Sequence, residues 1–318
     1  MSIDRSIPTT MMAVRLHPPG GPEAVTVEEI VTPAPRENEI LVRVHAAALT
    51  RDELDWPVDR LPAIPSYELS GTVVEAGVSS FARGQQVFGM TDFGRDGVAA
   101  EYVALPAAEL SPKPESLSHV EAAALPLPGL SAWQGLFDHG HLAPKQRVLI
   151  HGGAGGVGAY AVQLARLHGA HVTTTASTAR VDMAHQLGAH DVIDHTSSDF
   201  TTIDPVDLVL DTAGGERLAQ SSSVLKQGGR LVSVAEDPSF LEGSTGDIAT
   251  MWYLVEPRRD QLGELARLVT AGEIQIAVGR TYPLADARTA FEHLQNRGGA
   301  GKIVLTVADE AGQHHEKT

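Results

Sequence analysis

Residues 147–169 read RVLIHGGAGGVGAYAVQLARLHG, and this stretch decides the fold of the chain. Residues 148–151 suit a β-strand and are followed by a run of glycine. A helical pattern then begins, with side chains at spacings of three and four, namely Val157, Tyr160, Ala161, Leu164, Ala165 and Leu167. Gly153, Gly155 and Gly158 fit the pattern G-x-G-x-x-G between the strand and the helix. This combination is typical of a turn that binds a dinucleotide.

Glycine suits such a turn for three physical reasons. It permits a positive φ, it lets the backbone approach a pyrophosphate, and it lets the helix pack closely on the strand. The helix N-terminus adds free N–H groups and a partial positive charge. We therefore expect cofactor contacts from the residues of the turn, which are Gly153, Ala154, Gly155, Gly156, Val157 and Gly158.

The composition limits the classes of protein to which the chain can belong. Its 318 residues are 42% hydrophobic and 20% charged, as in a globular protein with a full core. The formal net charge of −16 argues against nucleic acid or an anionic membrane as a partner. The absence of cysteine excludes disulfides and Cys-ligated zinc. The first ten residues lack a signal-peptide pattern and no apolar run is long enough to span a bilayer, so we expect a cytoplasmic protein.

Two kinds of pattern divide the chain. The first part, about 110 residues, has short apolar stretches separated by proline and glycine, which predicts a β-rich, barrel-like domain with a last strand at 97–105. From residue 118 strands and helices alternate, which predicts a doubly wound parallel sheet. Ser118 and Glu121 have the spacing of a capping box at the start of its first helix.

The later elements complete the domain organisation. The expected elements are helices at 178–187, 215–226 and 285–296 and strands at 230–234 and 301–307. The last helix and strand follow the alternating series, so we expect them to return to the first domain. The prediction is therefore an α/β protein with a β-rich domain of residues 1–117 and 282–318 and a parallel-sheet domain of residues 118–281.

Several segments resemble one known family in the same order along the chain. VLIHGGAGGVG (148–158) resembles VLxHGAxGGVG, a pattern of the zinc-free quinone oxidoreductase branch of the medium-chain dehydrogenase/reductase superfamily, with Gly153 in place of alanine. Three further segments resemble that branch, namely AAALPLPGLSAW (122–133), VDLVLDTAGG (206–215) and YPLADARTAFEHLQNRGGAGKIVLTV (282–307). The resemblance implies a GroES-like catalytic domain interrupted by a Rossmann domain, oxidoreductase activity, and the homodimer that is common among members.

Two departures from the superfamily concern the catalytic domain. Zinc-dependent relatives carry Gly-His-Glu where this chain has Ser66-Tyr67-Glu68, so a tyrosine stands in place of the histidine ligand. The quinone oxidoreductase branch often has Asn-Pro-x-Asp or Asn-Pro-x-Glu after its third strand. Here that stretch is Thr50-Arg51-Asp52-Glu53, in which only the last carboxylate is retained. The substrate pocket has therefore diverged, and zinc in the form used by these relatives is excluded.

The end of the second parallel strand bears on the choice of cofactor. Residues 171–181 read HVTTTASTARV, without the acid that usually accepts hydrogen bonds from the 2′-OH of NAD. Ser177 and Thr178 can donate to a 2′-phosphate, and Arg180 can form charge-assisted bonds to it. The resemblance places His195 near the same phosphate. Ser177 is equally suited to be a helix N-cap, and Arg180 and His195 to be solvated, but the missing acid favours NADPH.

Further cofactor contacts follow from the resemblance alone. Ser131 corresponds to a hydroxyl residue near the nicotinamide carboxamide, with a serine on a helix surface as the alternative. Val255 corresponds, in a looser local similarity, to a residue that closes over the nicotinamide. Thr212, Ala213 and Gly214 follow the strand 207–211, at the carboxyl edge where ligands bind in such sheets.

The expected chemistry is hydride addition without a metal. A conjugated C=C bond or a quinone needs only hydrogen-bond donors and a proton for the oxygen that becomes negative. Tyr67 is the first candidate donor, because it replaces the metal ligand; the alternative is a packed aromatic. Glu53 and Asp55 could pass a proton, unless they are solvated or capping residues, and Thr50 could donate from the end of its strand.

Three functions remain open from the sequence. The first is an NADPH-dependent quinone or enone reductase acting on a small molecule. The second is an enoyl-thioester reductase of a biosynthetic pathway, for which Arg258 and Arg259 are the local basic pair that could dock a carrier. The third is a catalytically silent NADPH-binding protein.

Overall fold

The computed structural model describes residues 7–56, 61–77, 79–241, 247–296 and 301–307. Its chain forms two compact units. The first consists of Met1–Leu127, Pro257–Ala266 and Val278–Thr318, and the second of Pro128–Glu256 and Arg267–Ala277. The predicted division had its first boundary at 117/118, whereas the chain as far as residue 127 groups with the first unit because the helix beginning at His119 packs on that unit's strands. Residues 308–318 of the predicted first domain lie outside the described residues.

The secondary structure follows in chain order. The strands are β1 (Thr10–Leu16), β2 (Val25–Val31), β3 (Glu39–Leu49), β4 (Glu68–Glu75), β5 (Gln86–Met90), β6 (Tyr102–Pro106), β7 (Leu110–Pro112), β8 (Arg147–His151), β9 (His171–Ala176), β10 (Asp191–Asp194), β11 (Val206–Asp211), β12 (Leu225–Ser233), β13 (Ala249–Trp252), β14 (Val278–Pro283) and β15 (Lys302–Thr306). The α-helices are α1 (His119–Ala123), α2 (Pro126–Trp133), α3 (Gly156–Leu167), α4 (Val181–Gln186), α5 (Glu216–Gln220), α6 (Arg259–Thr270) and α7 (Ala287–Gln295). Short 3-10 helices occur at Pro22–Ala24, Ala107–Glu109, Thr178–Arg180, Phe200–Thr202, Ser221–Val224, Pro238–Leu241 and Leu284–Asp286, and a π-helical turn at Gln134–His139.

The first unit is built on a seven-stranded sheet in the order β14-β15-β3-β4-β5-β7, with β6 also paired to β3. The hairpin β1–β2 forms a separate antiparallel pair. Val42 and Val44 of β3 are fully buried and share a core with Leu69 and Leu105. The predicted β-rich fold is thus confirmed, and α7 and β15 belong to this unit.

One predicted strand of the first unit is shorter than expected. Only Tyr102–Pro106 pairs as a strand, not 97–105. The N–H groups of Gly97, Val98 and Ala99 donate to carbonyl groups of the loop 64–66 instead of to a neighbouring strand. The segment is buried; besides these bonds to the loop, it forms one antiparallel bridge, from Ala100 to Ala13 of β1.

The second unit contains a six-stranded parallel sheet in the order β10-β9-β8-β11-β12-β13. Counted within the unit this order is 3-2-1-4-5-6, the order of dinucleotide-binding folds. Leu149, Val209 and Leu231, from the neighbouring strands β8, β11 and β12, are buried in one apolar core. The predicted doubly wound parallel sheet is therefore confirmed. Within the part of the chain described here, no helix is long and apolar enough to cross a membrane.

The predicted start of the first helix agrees with the structure, whereas the bounds of two later helices differ from it. The capping box of Ser118 and Glu121 is present, with both reciprocal hydrogen bonds formed. The helix predicted at 215–226 is wrong in its length, because α5 ends at residue 220 and β12 begins at Leu225, which pairs with Val206 of β11. The helix predicted at 178–187 begins instead with a 3-10 turn, and Ser177 makes no side-chain capping bond.

Candidate active site

The glycine-rich turn between β8 and α3 leaves no room for side chains at the two points where it folds back. Gly152 has a φ of +76°. A Cβ atom at Gly153 would lie 2.0 Å from Oγ1 of Thr174, and one at Gly158 would lie 2.1 Å from the carbonyl oxygen of Gly152. These contacts are too short for any side chain. The turn therefore packs directly on β9 and on the start of α3.

The outer side of the same turn is open. Gly155 is the N-cap of α3 and Gly156 is its first residue. A Cβ atom at Gly156 would meet none of the described atoms within 4 Å. The N–H groups of the first helical turn and the helix dipole together favour an anion at this position. The predicted residues 153–158 thus form a turn with the geometry of a phosphate site.

Beneath the turn, a chain of hydrogen bonds runs through the buried side chain of His151. The N–H group of Gly152 donates to Oγ1 of Thr175, which lies 3.2 Å from Nδ1 of His151. On the other side, Nε2 of His151 lies 2.9 Å from Oγ of Ser221, and Ser221 donates to the carbonyl oxygen of Arg217. Burial lowers the pKa of His151 to about 3, so the ring is neutral. This chain ties the turn to β9 and to the segment after α5.

Arg180 reaches from the end of β9 to the glycine-rich turn. Its guanidinium donates to the carbonyl oxygen of Ala154 over 3.2 Å. β9 ends at Ala176, whose carbonyl oxygen accepts a hydrogen bond from the N–H group of His195. The side chain of His195 is exposed. A fixed cation therefore stands beside the turn, at the strand end where NAD enzymes usually have an acid.

Asp194, which the sequence analysis did not consider, lies next to this strand end. It is the last residue of β10 and pairs in register with Ala176. Its carboxylate accepts hydrogen bonds from the hydroxyl of Thr178 (2.6 Å) and from the hydroxyl and N–H groups of Thr196. These bonds, that from Thr178 first, lower the pKa of Asp194 to about 2. The predicted phosphate contact Thr178 is thus already engaged with a charged carboxylate.

The end of β11 is shaped by the fully buried Asp211. Its carboxylate accepts hydrogen bonds from the hydroxyl of Ser233 (2.8 Å) and from the N–H groups of Ala213 and Gly214. Burial raises its pKa. Thr212 donates to the carbonyl oxygen of His151 over 2.6 Å. The predicted residues 212–214 therefore form a rigid turn at the carboxyl edge of the sheet, beside the glycine-rich turn.

Ser131 and Val255 belong to two segments that the structure fastens together. The hydroxyl of Tyr253 donates to the carbonyl oxygen of buried Ser131. Gln134 exchanges two hydrogen bonds with the backbone of Glu256, at 2.9 and 3.0 Å. Val255 lies between these two attachments and is half-buried. The segment after β13 is thus held against α2 and the turn that follows it.

In the first unit, the candidate Thr50 lies within a buried group of charges. The ammonium group of Lys302 lies 2.5 Å from Oε1 of Glu68 and donates to Oγ1 of Thr50 over 3.0 Å. Lys302 and Glu68 are both buried, whereas Thr50 is half-buried. Sequence reasoning assigned no role to Lys302 or Glu68, although both lie in segments that it quoted.

Glu53 is buried and holds the loop that follows β3. Its Oε2 accepts the N–H group of Thr50 (3.0 Å) and its Oε1 accepts that of Ser66 (3.1 Å). Burial raises the pKa of Glu53 to about 8, and the nearby charge of Glu68 adds to this while Lys302 opposes it. The carboxyl group is therefore protonated at neutral pH and joins the two loops that carry the other candidates.

Tyr67 and Asp55 lie in contrasting surroundings. Tyr67 is buried, and its ring contacts those of Trp56 and Phe93 at 5.7 and 4.9 Å. The residue before it, Ser66, has a φ of +69°, a conformation that few side chains adopt. Asp55 is exposed. Of the predicted donors, Tyr67 is thus held by aromatic packing, whereas Asp55 faces solvent.

One residue of the basic pair considered for carrier docking has a contact within the first unit. The guanidinium of Arg259 donates to Oγ of Ser80 and lies 4.6 Å above the ring of Phe81. This contact engages Arg259 in packing, whereas Arg258 is exposed.

Comparison with known proteins decides the family. The description "Alcohol dehydrogenase GroES-like domain" matches residues 36–115, and "Zinc-binding dehydrogenase" matches residues 187–305. A probable zinc-binding oxidoreductase, mitochondrial, of Arthroderma benhamiae is 33% identical to this chain, over 96% of each sequence. The chain belongs to the medium-chain dehydrogenase/reductase superfamily. Within this superfamily, the NAD(P)H oxidoreductase RTN4IP1, mitochondrial, of Danio rerio is 29% identical over 86% of the chain and 84% of its own sequence.

A solved structure of the superfamily agrees with the fold throughout. The quinone oxidoreductase from Coxiella burnetii superposes with a TM-score of 0.89 at 32% identity, over 94% of this chain and all of its own. These similarities make the chain a member of an NAD(P)H-dependent oxidoreductase family with quinone oxidoreductase relatives.

Several site residues of this superfamily member were missed from sequence. Asp194 could have been noticed as the acid that ends the strand beside β9. Lys302 begins the last strand, and Glu68 follows Tyr67 directly. His151 and Ser221 are 70 residues apart, and only the order of the strands brings them together.

Proposed function

We propose that this protein is a zinc-independent, NADPH-dependent reductase of quinones or α,β-unsaturated carbonyl compounds. The observation that carries this proposal is the hydrogen bond from Arg180 to the carbonyl oxygen of Ala154. It fixes a permanent positive charge beside the glycine-rich turn, where the 2′-phosphate of NADPH requires one.

The preference for NADPH follows from the balance of charges around this position. Arg180 can give a bidentate, charge-assisted contact to a phosphate. Asp194 weakens the binding of a phosphate, because its carboxylate repels the phosphate and already accepts a hydrogen bond from the hydroxyl of Thr178. Ser177 and His195 offer further donors. We infer a moderate preference for NADPH over NADH, set by Arg180 and limited by Asp194.

Two substitutions test this balance. Arg180→Gln is expected to lower kcat/KM for NADPH about tenfold or more, the loss of one charge-assisted bond, and to leave that for NADH nearly unchanged. Asp194→Asn is expected to increase the preference for NADPH. Arg230→Gln is the matched control, since Arg230 is exposed on β12. Equal kcat/KM for the two cofactors in the wild type would contradict the proposed preference.

Metal-free chemistry is supported by the donor groups that the chain offers. It has no cysteine, and Tyr67 stands where zinc-dependent relatives have a histidine ligand. Among the described residues, no three His, Asp or Glu side chains are grouped so as to hold a metal ion. Reduction of a quinone or enone requires only hydrogen-bond donors at the oxygen that gains charge. Tyr67 and Thr50 are the proposed donors.

The proposed roles of the chain's own residues follow from their contacts. When bound, the nicotinamide supplies the hydride. The turns 153–158 and 212–214 bind and orient the nucleotide, with Ser131 and Val255 at its nicotinamide end. Thr50 or Tyr67 donates a hydrogen bond to the acceptor oxygen, and Glu53 keeps the loop of Thr50 in place.

An assay with several acceptors tests the reaction itself. Purified protein, NADPH and a panel of quinones, enones and enoyl thioesters are mixed, and loss of the near-ultraviolet band of reduced nicotinamide is followed. Turnover with quinones or small enones supports the proposal. Turnover only with enoyl thioesters would favour a biosynthetic reductase, and NADPH binding without turnover would indicate a catalytically silent protein.

The second unit also presents a surface that supports a homodimer. β13 is the edge strand of the parallel sheet; its Met251 and Trp252 are 45% and 42% exposed, and Leu254, just after it, is 58% exposed. An edge strand with exposed apolar side chains is a template for pairing with another chain. We propose that a second copy covers it. Light scattering is then expected to show a dimer for the wild type and a folded monomer for Trp252→Lys.

A further inference from the structure

The register of the first unit's sheet brings three polar side chains to one end of β3. Leu49 pairs with Ile303 of β15 on one side, and Ala48 pairs with Glu68 of β4 on the other. Lys302 therefore stands opposite Thr50, one position beyond the paired Leu49. Paired residues of neighbouring strands point to the same face of a sheet, and so do positions i and i+2. Lys302, Thr50 and Glu68 accordingly share one face.

Lys302 is held there by contacts on two sides. It is 7% exposed, and its ammonium group lies 2.5 Å from Oε1 of Glu68. The other carboxylate oxygen of Glu68 accepts the N–H group of Leu127 over 2.9 Å. A buried ammonium group that is paired with a fixed carboxylate has little freedom to move. Its remaining contact, to Oγ1 of Thr50 at 3.0 Å, is therefore directional.

This contact decides what the hydroxyl of Thr50 can do. An ammonium group has hydrogens to give and no lone pair, so Thr50 must accept from Lys302. The hydrogen of the hydroxyl then points away from Lys302. No second hydrogen bond of this hydroxyl occurs with the described residues, and the side chain is half-buried. Thr50 is thus prepared to donate to a group that arrives from outside.

We propose that Lys302, fixed by Glu68, is a positioning residue that makes Thr50 the hydrogen-bond donor to the oxygen of the acceptor as that oxygen becomes negative. This inference rests on the proposed reductase function. Thr50 is then the catalytic residue, because it touches the acceptor. Lys302 acts through it, by orienting the hydroxyl and by placing a positive charge behind it in a site of low dielectric.

The second carboxyl group of the cluster is consistent with this role. Glu53 is held by the N–H groups of Thr50 and Ser66, and it interacts electrostatically with both Lys302 and Glu68. In its neutral form it leaves one positive and one negative charge in the cluster. The positive charge of Lys302 then remains available to the hydroxyl of Thr50 and is not shared between two carboxylates.

The first test removes the hydroxyl without changing the volume of the side chain. Thr50→Val is expected to lower kcat/KM for the acceptor about 100-fold, the usual loss for one donor to a developing oxyanion. NADPH binding, measured by fluorescence, should stay near the wild-type value. Thr50→Ser restores the hydroxyl and should recover most of the activity. Thr26→Val is the matched control, because it removes a hydroxyl bound to Glu28 on β2.

The second test separates positioning from a purely structural ion pair. Replacing Lys302 alone would leave a buried carboxylate unpaired and endanger the fold. The double variant Lys302→Met with Glu68→Gln removes both charges at similar volume, and the amide oxygen introduced by Glu68→Gln can still accept the N–H group of Leu127. We expect a loss close to that of Thr50→Val. Adding Thr50→Val to this variant should then cost less than about twofold more.

Each outcome supports or overturns the inference. Losses that multiply in the triple variant mean that Lys302 and Thr50 act independently, and a wild-type rate for Thr50→Val means that Thr50 donates nothing. Either result overturns the inference while the wild type still reduces its acceptor. Absence of turnover by the wild type overturns the proposed function and the inference with it, and is recognised before any variant is compared. Melting temperatures verify that every variant is folded.

Discussion

Nε2 of His151 lies 2.9 Å from Oγ of Ser221, and the hydrogen of that hydroxyl is donated to the carbonyl oxygen of Arg217. The imidazole must therefore donate from Nε2 and accept at Nδ1. Because Nδ1 is linked through Thr175 to the N–H group of Gly152, one neutral tautomer is part of the support of the glycine-rich turn. A serine 70 residues away in sequence thus helps to support the glycine-rich turn.

Ser221→Ala is expected to weaken this support. It leaves the Nε2–H group of His151 buried without an acceptor, which costs about 1–3 kcal/mol. We expect a lower melting temperature and weaker NADPH binding in a fluorescence titration. Ser223→Ala is the control, because the exposed hydroxyl of Ser223 bonds only to the carbonyl oxygen of Gln220 in the part of the chain described here. Identical behaviour of the two variants would show that the chain of hydrogen bonds does not support the turn.

Gly153 departs from the alanine of the related sequence pattern, and Thr174 explains why. A Cβ atom at this position would lie 2.0 Å from Oγ1 and 2.8 Å from Cβ of Thr174, whose hydroxyl is fixed by the carbonyl oxygen of Ile150. Gly153→Ala should therefore destabilise the protein by about 1–3 kcal/mol through overpacking. In combination with Thr174→Ala the cost should be smaller than the sum of the two single costs. Denaturant unfolding of the four proteins measures this coupling, and strict additivity would argue against the contact.

The parts of the fold that sequence could predict are those with local causes. α3 and its turn follow from glycine spacing and helical periodicity, and α1 follows from Ser118 and Glu121. β12 was placed at 230–234, whereas it begins at Leu225. Leu225 pairs with Val206 of β11 and Arg230 pairs with Leu208, so Lys226, Gln227 and the two glycines form an irregularity between two paired positions of the strand. Pairing between distant segments is invisible in a single stretch of sequence.

The same distinction applies to the candidate site. The glycine-rich turn and Arg180 could be named from sequence, because their chemistry is carried by residue type and spacing. The partnership of Lys302 with Thr50 depends on β15 lying beside β3, over a separation of 252 residues. Asp194 stands beside Thr178 because β10 pairs with β9. Such contacts required the strand order, which the motifs did not contain.

Buried His119 should make the protein sensitive to acid. It stacks on His45 and bonds to the hydroxyl of Ser70, and burial, with the charge of His45 as a further cause, lowers its pKa from 6.5 to about 3. A histidine with a lowered pKa gives its full stability above pH 6.5 and loses it as the pH falls toward 3. The melting temperature of the wild type should therefore fall below pH 6.5. In His119→Gln this fall should be less steep than in the control His141→Gln, an exposed position; parallel curves would contradict the assignment.

Glu53 should affect both stability and activity as the pH rises from 4.5 through 8. Its pKa is raised from 4.5 to about 8, so the folded protein holds a proton that the unfolded chain loses above 4.5. The stability contributed by this group is complete below pH 4.5 and is lost as the pH rises through 8. Ionisation also places a second carboxylate near Lys302 and reduces the positive charge behind Thr50, so kcat/KM should fall above about pH 8. Glu53→Gln cannot ionise and should flatten both profiles, whereas an unchanged alkaline fall would assign it to another group.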